Sequence, residues 1–405
     1  MSKRRKERNC ISYKVRLYPT KQQENMFYKH INCCRYIWNY MLDLQIKNYA
    51  EENKYICEFD MIRLLTSLKN EDDKAWLYEV SNSSLQTICR DLNKAYEAYF
   101  DGRCRFPKFK SKRESKLSFP ACASPSKFYF TDDEVHIQKV GKVKYKTDLN
   151  PPKGNTVKFY NPRIKNIRGK WILIVGVEYE NQVLNNPVGR VGIDLGIKKL
   201  ATISYFYNDC NGNDYMQYGN INKSNRMKRL ERRSIHYNRV MARKRRVNND
   251  YKVKCEDGKY RRYDSNNYKK IRKRYQHVEG KMANIRLNYI HHITKHIVEL
   301  KPGVITMEDL NIKKMLKNPT LSPYIQKACW RKFRDIMEHK GTHHGIVVKF
   351  APTWFPSSKY CSNCGHLKRK FSLSDRMYVC KKCGLVIDRD VNAAINLQWF
   401  NYDRT

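Results

Sequence analysis

The sequence predicts a multidomain chain of mixed α/β and α+β class, and three observations predict it. Short strands of alternating polarity, interrupted by one long helical stretch, occupy the chain up to about residue 186. From residue 187 the rhythm changes to buried strands separated by long basic helices. Near the end, Cys361-Ser-Asn-Cys364 and Cys380-Lys-Lys-Cys383 form two CxxC knuckles. Four thiolates at that spacing suit one tetrahedral zinc, and mark a small module set into the second half.

Each element follows from its residues. Residues 11–19 alternate in polarity and stop at Pro19. Thr20 is an N-cap with Gln23 three residues on, and the pattern is then helical to about Tyr99. Leu85, Ile88, Leu92 and Tyr96 make one stripe of it. A basic loop carrying Phe106, Pro107 and Phe109 follows, and residues 117–185 read as short strands with Gly and Pro turns. This is the pattern of a small β-barrel with a helical segment inserted after its first strand. In the second half, Val191-Gly-Ile-Asp194-Leu-Gly196 is a strand ending in Asp-x-Gly, followed by strands at 200–206 and 216–219. Helices are expected at 223–246 and 268–300, the latter with Ile285, Tyr289, Ile293 and Ile297 in one row, and 248–267 reads as a polar mobile loop. A strand at 304–309, a helix at 322–340, a strand at 346–350 and a helix at 390–400 complete the chain. Three strands, helix, strand, helix, strand, helix is the order of a ribonuclease-H-like fold. The knuckles are an insertion in it, with Gly365 and Gly384 at turns that need positive φ.

Composition bounds the function. Lys and Arg number 81 against 39 Asp and Glu, a formal net charge of +42 on a chain that is 41% hydrophobic. A polyanionic partner, bound largely through counterion release, is the expected consequence. The 29 tyrosines add stacking surfaces of the kind single-stranded nucleic acid uses. Scattered single cysteines fit a reducing compartment, and the basic N-terminus lacks the apolar core of a secretory signal. No apolar run is long enough to cross a bilayer, so cytoplasm or nucleus is expected.

Three acids stand where such a fold needs them: Asp194 ending the first strand, Glu308 ending the fourth, and Asp390 opening the last helix. Carboxylates converging on one sheet edge can hold two Mg²⁺ or Mn²⁺ ions roughly 4 Å apart for phosphodiester hydrolysis. Asp388 competes with Asp390; Asp390 is preferred because Asn392-Ala393-Ala394 behind it allows close helix–sheet packing. Asp388 and Asn392 are then expected to support the site. His291-His292 resembles a metal pair, but adjacent rings on a helix face different ways. For the cysteine module alone, a transcription-factor ribbon, a ribosomal ribbon and a structural staple all fit. Lys368, Arg369 and Lys370 between the knuckles favour nucleic-acid contact over a solvated face.

These residues carry a resemblance. Pro356-Ser-Ser-Lys-x-Cys361, the knuckles, and Asp388-Arg-Asp390-x-Asn392-Ala-Ala-x-Asn396 resemble the C-terminal signature of the TnpB family. Members are transposon-encoded RNA-guided DNA endonucleases related to Fanzor proteins and type V CRISPR effectors. Val191–Gly196 and Met307–Asn311 resemble two motifs of their RuvC nuclease domain, and Leu92–Tyr96 and Pro107–Lys110 extend the match toward the N-terminus. The resemblance implies that Asp194, Glu308 and Asp390 bind two Mg²⁺ (or Mn²⁺), and that Cys361, Cys364, Cys380 and Cys383 hold one structural Zn²⁺. It implies a wedge domain at 1–19 and 114–186, recognition helices at 20–113, a RuvC domain at 187–355 and 388–405, and a zinc-ribbon target-nucleic-acid-binding insert at 356–387. Expected partners are a guide RNA from the transposon end and double-stranded DNA beside a target-adjacent motif, with one protein per RNA and no membrane. Arg103, Arg105, Lys108, Lys110, Lys112, Arg113, Lys228, Arg229, Arg243, Lys244, Arg245, Lys269, Arg272 and Lys273 are the expected backbone contacts. The location would be cytoplasmic in a bacterium and nuclear for a eukaryotic or viral relative. An RNA-guided repressor and a DNA transposase remain as alternatives.

Overall fold

Pro19 and Thr20 set the first boundary: proline ends a strand ladder by lacking an N–H, and threonine caps the helix behind it. The computed structural model describes residues 10–400 apart from 113–115, 148–150, 155, 179–183, 185–186, 188, 207–213, 248–251, 255–259, 263 and 369–374. The chain divides into two units, Met1–Tyr179 and Glu180–Thr405.

In the first unit, β1 (Cys10–Tyr18) leads into α1 (Lys21–Glu52). Thr20 Oγ1 accepts from Gln23 N at 3.3 Å while Gln23 Oε1 accepts from Thr20 N at 3.0 Å, the expected capping box. After α2 (Glu58–Lys69), α3 (Asn82–Phe100) buries the predicted stripe of Leu85, Ile88, Leu92 and Tyr96. Strands β2 (Ser118–Pro120), β3 (Phe128–Phe130), β4 (Glu134–Ile137), β5 (Gly141–Lys146), β6 (Phe159–Ile167) and β7 (Lys170–Glu178) follow. They join β1 in one antiparallel sheet of order β2-β6-β7-β1-β5-β4-β3. The end strands β2 and β3 are three residues each and do not pair with one another among the described residues. The sheet instead curls through side chains, Phe159 of β6 meeting Phe128 and Phe130 of β3 at ring distances of 5.4 and 5.3 Å. The helices share its core, with Phe27 of α1 edge-on to Trp171 of β7 at 4.9 Å.

The second unit is built on β8 (Arg190–Leu195), β9 (Lys199–Tyr205) and β10 (Asp214–Gly219), then α4 (Asn225–Val247), β11 (Lys252–Lys254), β12 (Tyr260–Arg262) and α5 (Asn266–Glu299). After these come β13 (Val304–Glu308), α6 (Ile312–Met315), α7 (Ser322–Ala328), α8 (Trp330–His343), β14 (Val347–Ala351), β15 (Met377–Val379), β16 (Val386–Asp388) and α9 (Arg389–Gln398). The main sheet has the order β10-β9-β8-β13-β14, with β8, β13 and β14 parallel and the first three strands antiparallel. One face buries Val191, Ile193, Ile203, Ile305 and Met307 in a core with α5 and α8.

Three local expectations change. The described residues of 248–267 include a small antiparallel pair, β11 with β12, instead of an irregular loop throughout. The helix expected at 322–340 is broken at Cys329, whose φ is +58°. The break turns Ile325 and Ala328 onto the same core as Trp330, Phe333 and Met337. On α5 the buried stripe is Ile290, Ile293 and Ile297. Tyr289 stays at the edge because its hydroxyl donates to Gly219 O at 2.9 Å, and Ile285 packs in a separate cluster with Met227, Val278 and Met282.

Candidate active site and metal centre

Register brings the first two acids together. Parallel pairing of β13 with β8 aligns Val304 with Arg190 and Met307 with Ile193, so the next row holds Glu308 beside Asp194. Paired residues of neighbouring strands point to the same side of a sheet, so both carboxyls project from one face. Asp309, the other acid of that strand end, is ion-paired with Arg334, whose guanidinium lies 3.8 Å from the centre of the Phe350 ring.

The third acid arrives on α9, and a glycine decides how close. The row below holds Ser204, Gly192 and Thr306, all small, and α9 lies on it. A Cβ at Gly192 would stand 2.0 Å from Ala394 O and 2.4 Å from Gln398 N. Ser204 Oγ donates to Gln398 Oε1 at the far end of this contact. From it, Asp194 is two strand residues onward, about 6.6 Å, and Asp390 one helical turn back, about 6 Å. Asp390 in the first turn of α9 therefore reaches the Asp194 row.

The electrostatics match. Asp194 has its carboxyl raised well above the usual range, first by burial and then by the negative charges of Glu308, Asp390 and Asp388, with Arg389 opposing. Burial also raises Glu308, while a hydrogen bond from the Ser357 hydroxyl counters it. Arg389 Nε and Nη2 both lie 3.3 Å from Asp390 Oδ1. Several carboxylates forced together away from water call for a cation, and oxygen donors suit Mg²⁺ or Mn²⁺.

The two acids that competed for the third position have different jobs. Asp388 is the N-cap of α9, its Oδ1 accepting from Asp390 N at 2.9 Å and Val391 N at 3.3 Å. It thereby orients Asp390. Asn392, expected beside the acids, serves the metal module: its Nδ2 donates to Tyr360 O at 2.7 Å and its Oδ1 accepts from Ser362 N at 2.9 Å. Two positions along the helix from Asp390, it points to another face.

The four knuckle thiols converge, all Sγ atoms lying within 4.8 Å of one another. Cys361–Cys383 and Cys364–Cys380 are each 3.6 Å apart. A zinc–sulfur bond of about 2.3 Å implies tetrahedral edges of about 3.8 Å, so the quartet fits one zinc and leaves no open coordination position. Gly365 and Gly384 take φ of 70° and 75°, letting their N–H groups reach back to Cys361 O and Cys380 O. Burial pushes Cys361 up to about 12, whereas the Leu385 N–H draws Cys383 down to about 6. β15 and β16 form the module's hairpin, and β16 runs straight into α9.

The basic residues fall into two classes. Arg105, Lys108 and Lys112 in the first unit, and Lys228, Arg229, Arg243, Lys269 and Lys273 on α4 and α5, are exposed, and Lys244 is half-buried. Arg103 and Arg272 are exposed but ion-paired with Asp101 and Asp264, and Arg245 donates to the Tyr268 hydroxyl at 2.9 Å. Lys110 departs from the expectation of a free phosphate contact. Its ammonium sits 3.2 Å from the centre of the Trp38 ring, burial lowers it to about 8, and Asn39 bonds both its backbone groups. Arg113, Arg369 and Lys370 lie outside the described residues. Sequence reasoning missed Gly192, Ser357 and Asn396. A glycine within a buried strand signals close backbone approach; Ser357 and Asn396 stand inside the quoted C-terminal signature, but nothing local tells which groups they bond.

Known proteins match along most of the chain. A family model described as "Cas12f1-like, TNB domain" matches residues 330–397, and the IS605 OrfB models described as "Probable transposase" and "Helix-turn-helix domain" match 174–319 and 10–54. Residues 10–54 hold β1 and one uninterrupted helix. A Streptomyces pristinaespiralis protein named "Putative RNA-guided DNA endonuclease" is 28% identical over 394 residues, covering 95% of this chain and 88% of the relative. The "TnpB-like protein L770" of Acanthamoeba polyphaga mimivirus is 22% identical, over 95% and 72% of the two chains. Among solved structures, the Cas12f1 chain of a complex with single guide RNA and target DNA is similar in fold. Its TM-score is 0.55 at 13% identity, covering 98% of this chain and 100% of that one.

Proposed function

This chain belongs to the TnpB family, and from that premise we propose that it is an RNA-guided endonuclease cutting double-stranded DNA at a ribonuclease-H-like, RuvC-type site. The observation that carries the reading is the single row in which Asp194 and Glu308 stand side by side, with Asp390 brought over it by α9 on Gly192. The strand order supports the fold assignment. The relatives' names and the guide-RNA complex of the similar structure support the substrates.

In this reading Asp194, Glu308 and Asp390 hold a pair of Mg²⁺ or Mn²⁺ ions. Bound there, such ions supply a nucleophile from water at neutral pH and stabilise the leaving 3′-oxygen of the phosphodiester. Ser357 holds Glu308, Asp388 orients Asp390 through its N–H, and Arg389 balances the acids' charge. The zinc module, a ribbon, carries Lys368 and Lys381 toward the target nucleic acid. The curled sheet with β1 and the helices α1–α3 are the wedge and recognition domains. The exposed cations of α4, α5 and residues 103–112 hold nucleic-acid backbone while guide pairing reads sequence.

The test is to express the chain with its flanking DNA, sequence the RNA that co-purifies, and challenge the reprogrammed complex with a randomised-flank plasmid library in Mg²⁺. Guide-dependent double-strand cuts beside one enriched motif, absent in Asp194→Ala, are expected. Guide-dependent binding without cutting would instead mean a repressor. Strand joining without a guide would mean a transposase.

A further inference from the structure

Resting on that reading, we propose that Ser357 is a positioning residue for the catalytic carboxylate Glu308, and that through it the zinc module helps to build the hydrolytic site as well as to touch nucleic acid.

Ser357 stands four residues before Cys361 and is 3% exposed. Its hydroxyl donates to Glu308 Oε1, across 49 residues of sequence. Its carbonyl accepts from Asn396 Nδ2 at 2.7 Å, and the same Nδ2 lies 2.8 Å from Tyr360 O. Asn392, one turn earlier on α9, donates to Tyr360 O and accepts from Ser362 N. Phe355 packs edge-on against Phe400 at 4.5 Å. The segment entering the first knuckle is thus clamped to the helix that carries Asp390, and its one buried hydroxyl points at the acid on β13. At its other end, the module joins that helix directly, Cys383 preceding Asp390 by seven residues.

A carboxylate has two oxygens, and fixing one with a hydroxyl donor sets the rotamer that presents the other. Partners of this kind, one bond removed from the ion, typically change metal affinity about 10–100-fold when deleted. Ser357 does this from a segment whose own place depends on the knuckles. Loss of zinc should therefore loosen the acidic site before any DNA is present.

The experiment uses the full chain with its co-purified RNA and no DNA. Fe²⁺ replaces Mg²⁺, and with ascorbate and peroxide it cuts the polypeptide beside wherever it is bound. Cuts near residues 194, 308 and 390 that vanish in Asp194→Ala establish the site. Their absence in the unmutated complex would sink the proposed function itself, a result distinct from those that follow. Ser357→Ala is expected to need about 10–100-fold more Fe²⁺ for the same cutting while retaining one zinc per chain, and Ser357→Thr, which keeps the hydroxyl, to restore most of the affinity. An unchanged Fe²⁺ dependence in Ser357→Ala overturns the proposal. So does a loss that Ser357→Thr fails to restore, or one accompanied by loss of zinc, since Ser357 would then be a packing residue only.

Discussion

Asp194 faces three other carboxylates with one guanidinium to offset them, and that imbalance is measurable. Because its folded carboxyl is raised, the native state binds a proton more readily than the unfolded chain does. Ionisation at neutral pH therefore opposes folding while no cation is bound. Asp194→Asn should raise the metal-free melting temperature near pH 7, by about 2–4 °C for each kcal/mol relieved. The gain should fade as pH falls through the raised pKa, where the wild-type carboxyl is already neutral. Calorimetry of both proteins in chelator from pH 4 to 8 checks this; a pH-independent difference would contradict it. Gly192 makes the opposite case. A methyl there meets backbone atoms 2.0 and 2.4 Å away, which cannot swing aside. Gly192→Ala should cost about 1–3 kcal/mol or more and lift Asp390 from Asp194. Denaturant unfolding reads the first effect and Fe²⁺-directed cutting the second.

At the scale of elements, α9 is where the two chemistries of the second unit meet. Its N-terminus presents Asp390, its small face lies on the sheet, and Asn392 and Asn396 grip the knuckle segment. Asn392 is fully buried with both amide atoms bonded to backbone. Asn392→Ala takes the partner from the Ser362 N–H, at a typical cost of about 1–3 kcal/mol, while Tyr360 O keeps the Asn396 donor. Hydrogen exchange should then show amides 357–368 opening while zinc stays at one per chain. Cys380→Ser should lose the zinc itself and open the hairpin of β15 and β16; a variant that still binds one zinc would argue against the four-thiolate site. Helix α9 and its acid were legible in Asp388-Arg-Asp390-x-Asn392-Ala-Ala, because small residues and a carboxylate at fixed offsets are a local pattern. The break between α7 and α8 was not. Cys329 takes its left-handed conformation because two helices must share one core, and nothing in its own neighbourhood demands it.

Across the whole molecule, the excess of positive charge bears on both stability and solubility. A net +42 makes the chain repel itself, and a bound polyanion relieves this. The chain should melt lower and be less soluble without its RNA, and the stabilisation should shrink steeply as salt rises from about 50 to 200 mM. Equal melting with and without RNA would count against a stable guide complex. Among the described residues, no helix is long and apolar enough to cross a membrane.

Local pattern was enough to place most of the strands and helices, to single out the four thiols that converge and the three acids proposed as metal ligands, and to indicate the kind of partner. Periodicity, ligand spacing and net charge are properties of short windows or of composition, and these survive without a fold. Long-range register is different. That Glu308 stands beside Asp194 follows from two strands far apart in the chain pairing in one alignment. That Asn392 serves the knuckle, that Lys110 lies over Trp38 and that Ser357 reaches Glu308 depend likewise on which surfaces close together. Each of those contacts is made by residues distant in sequence, and only packing decides among the many partners that a polar side chain could take.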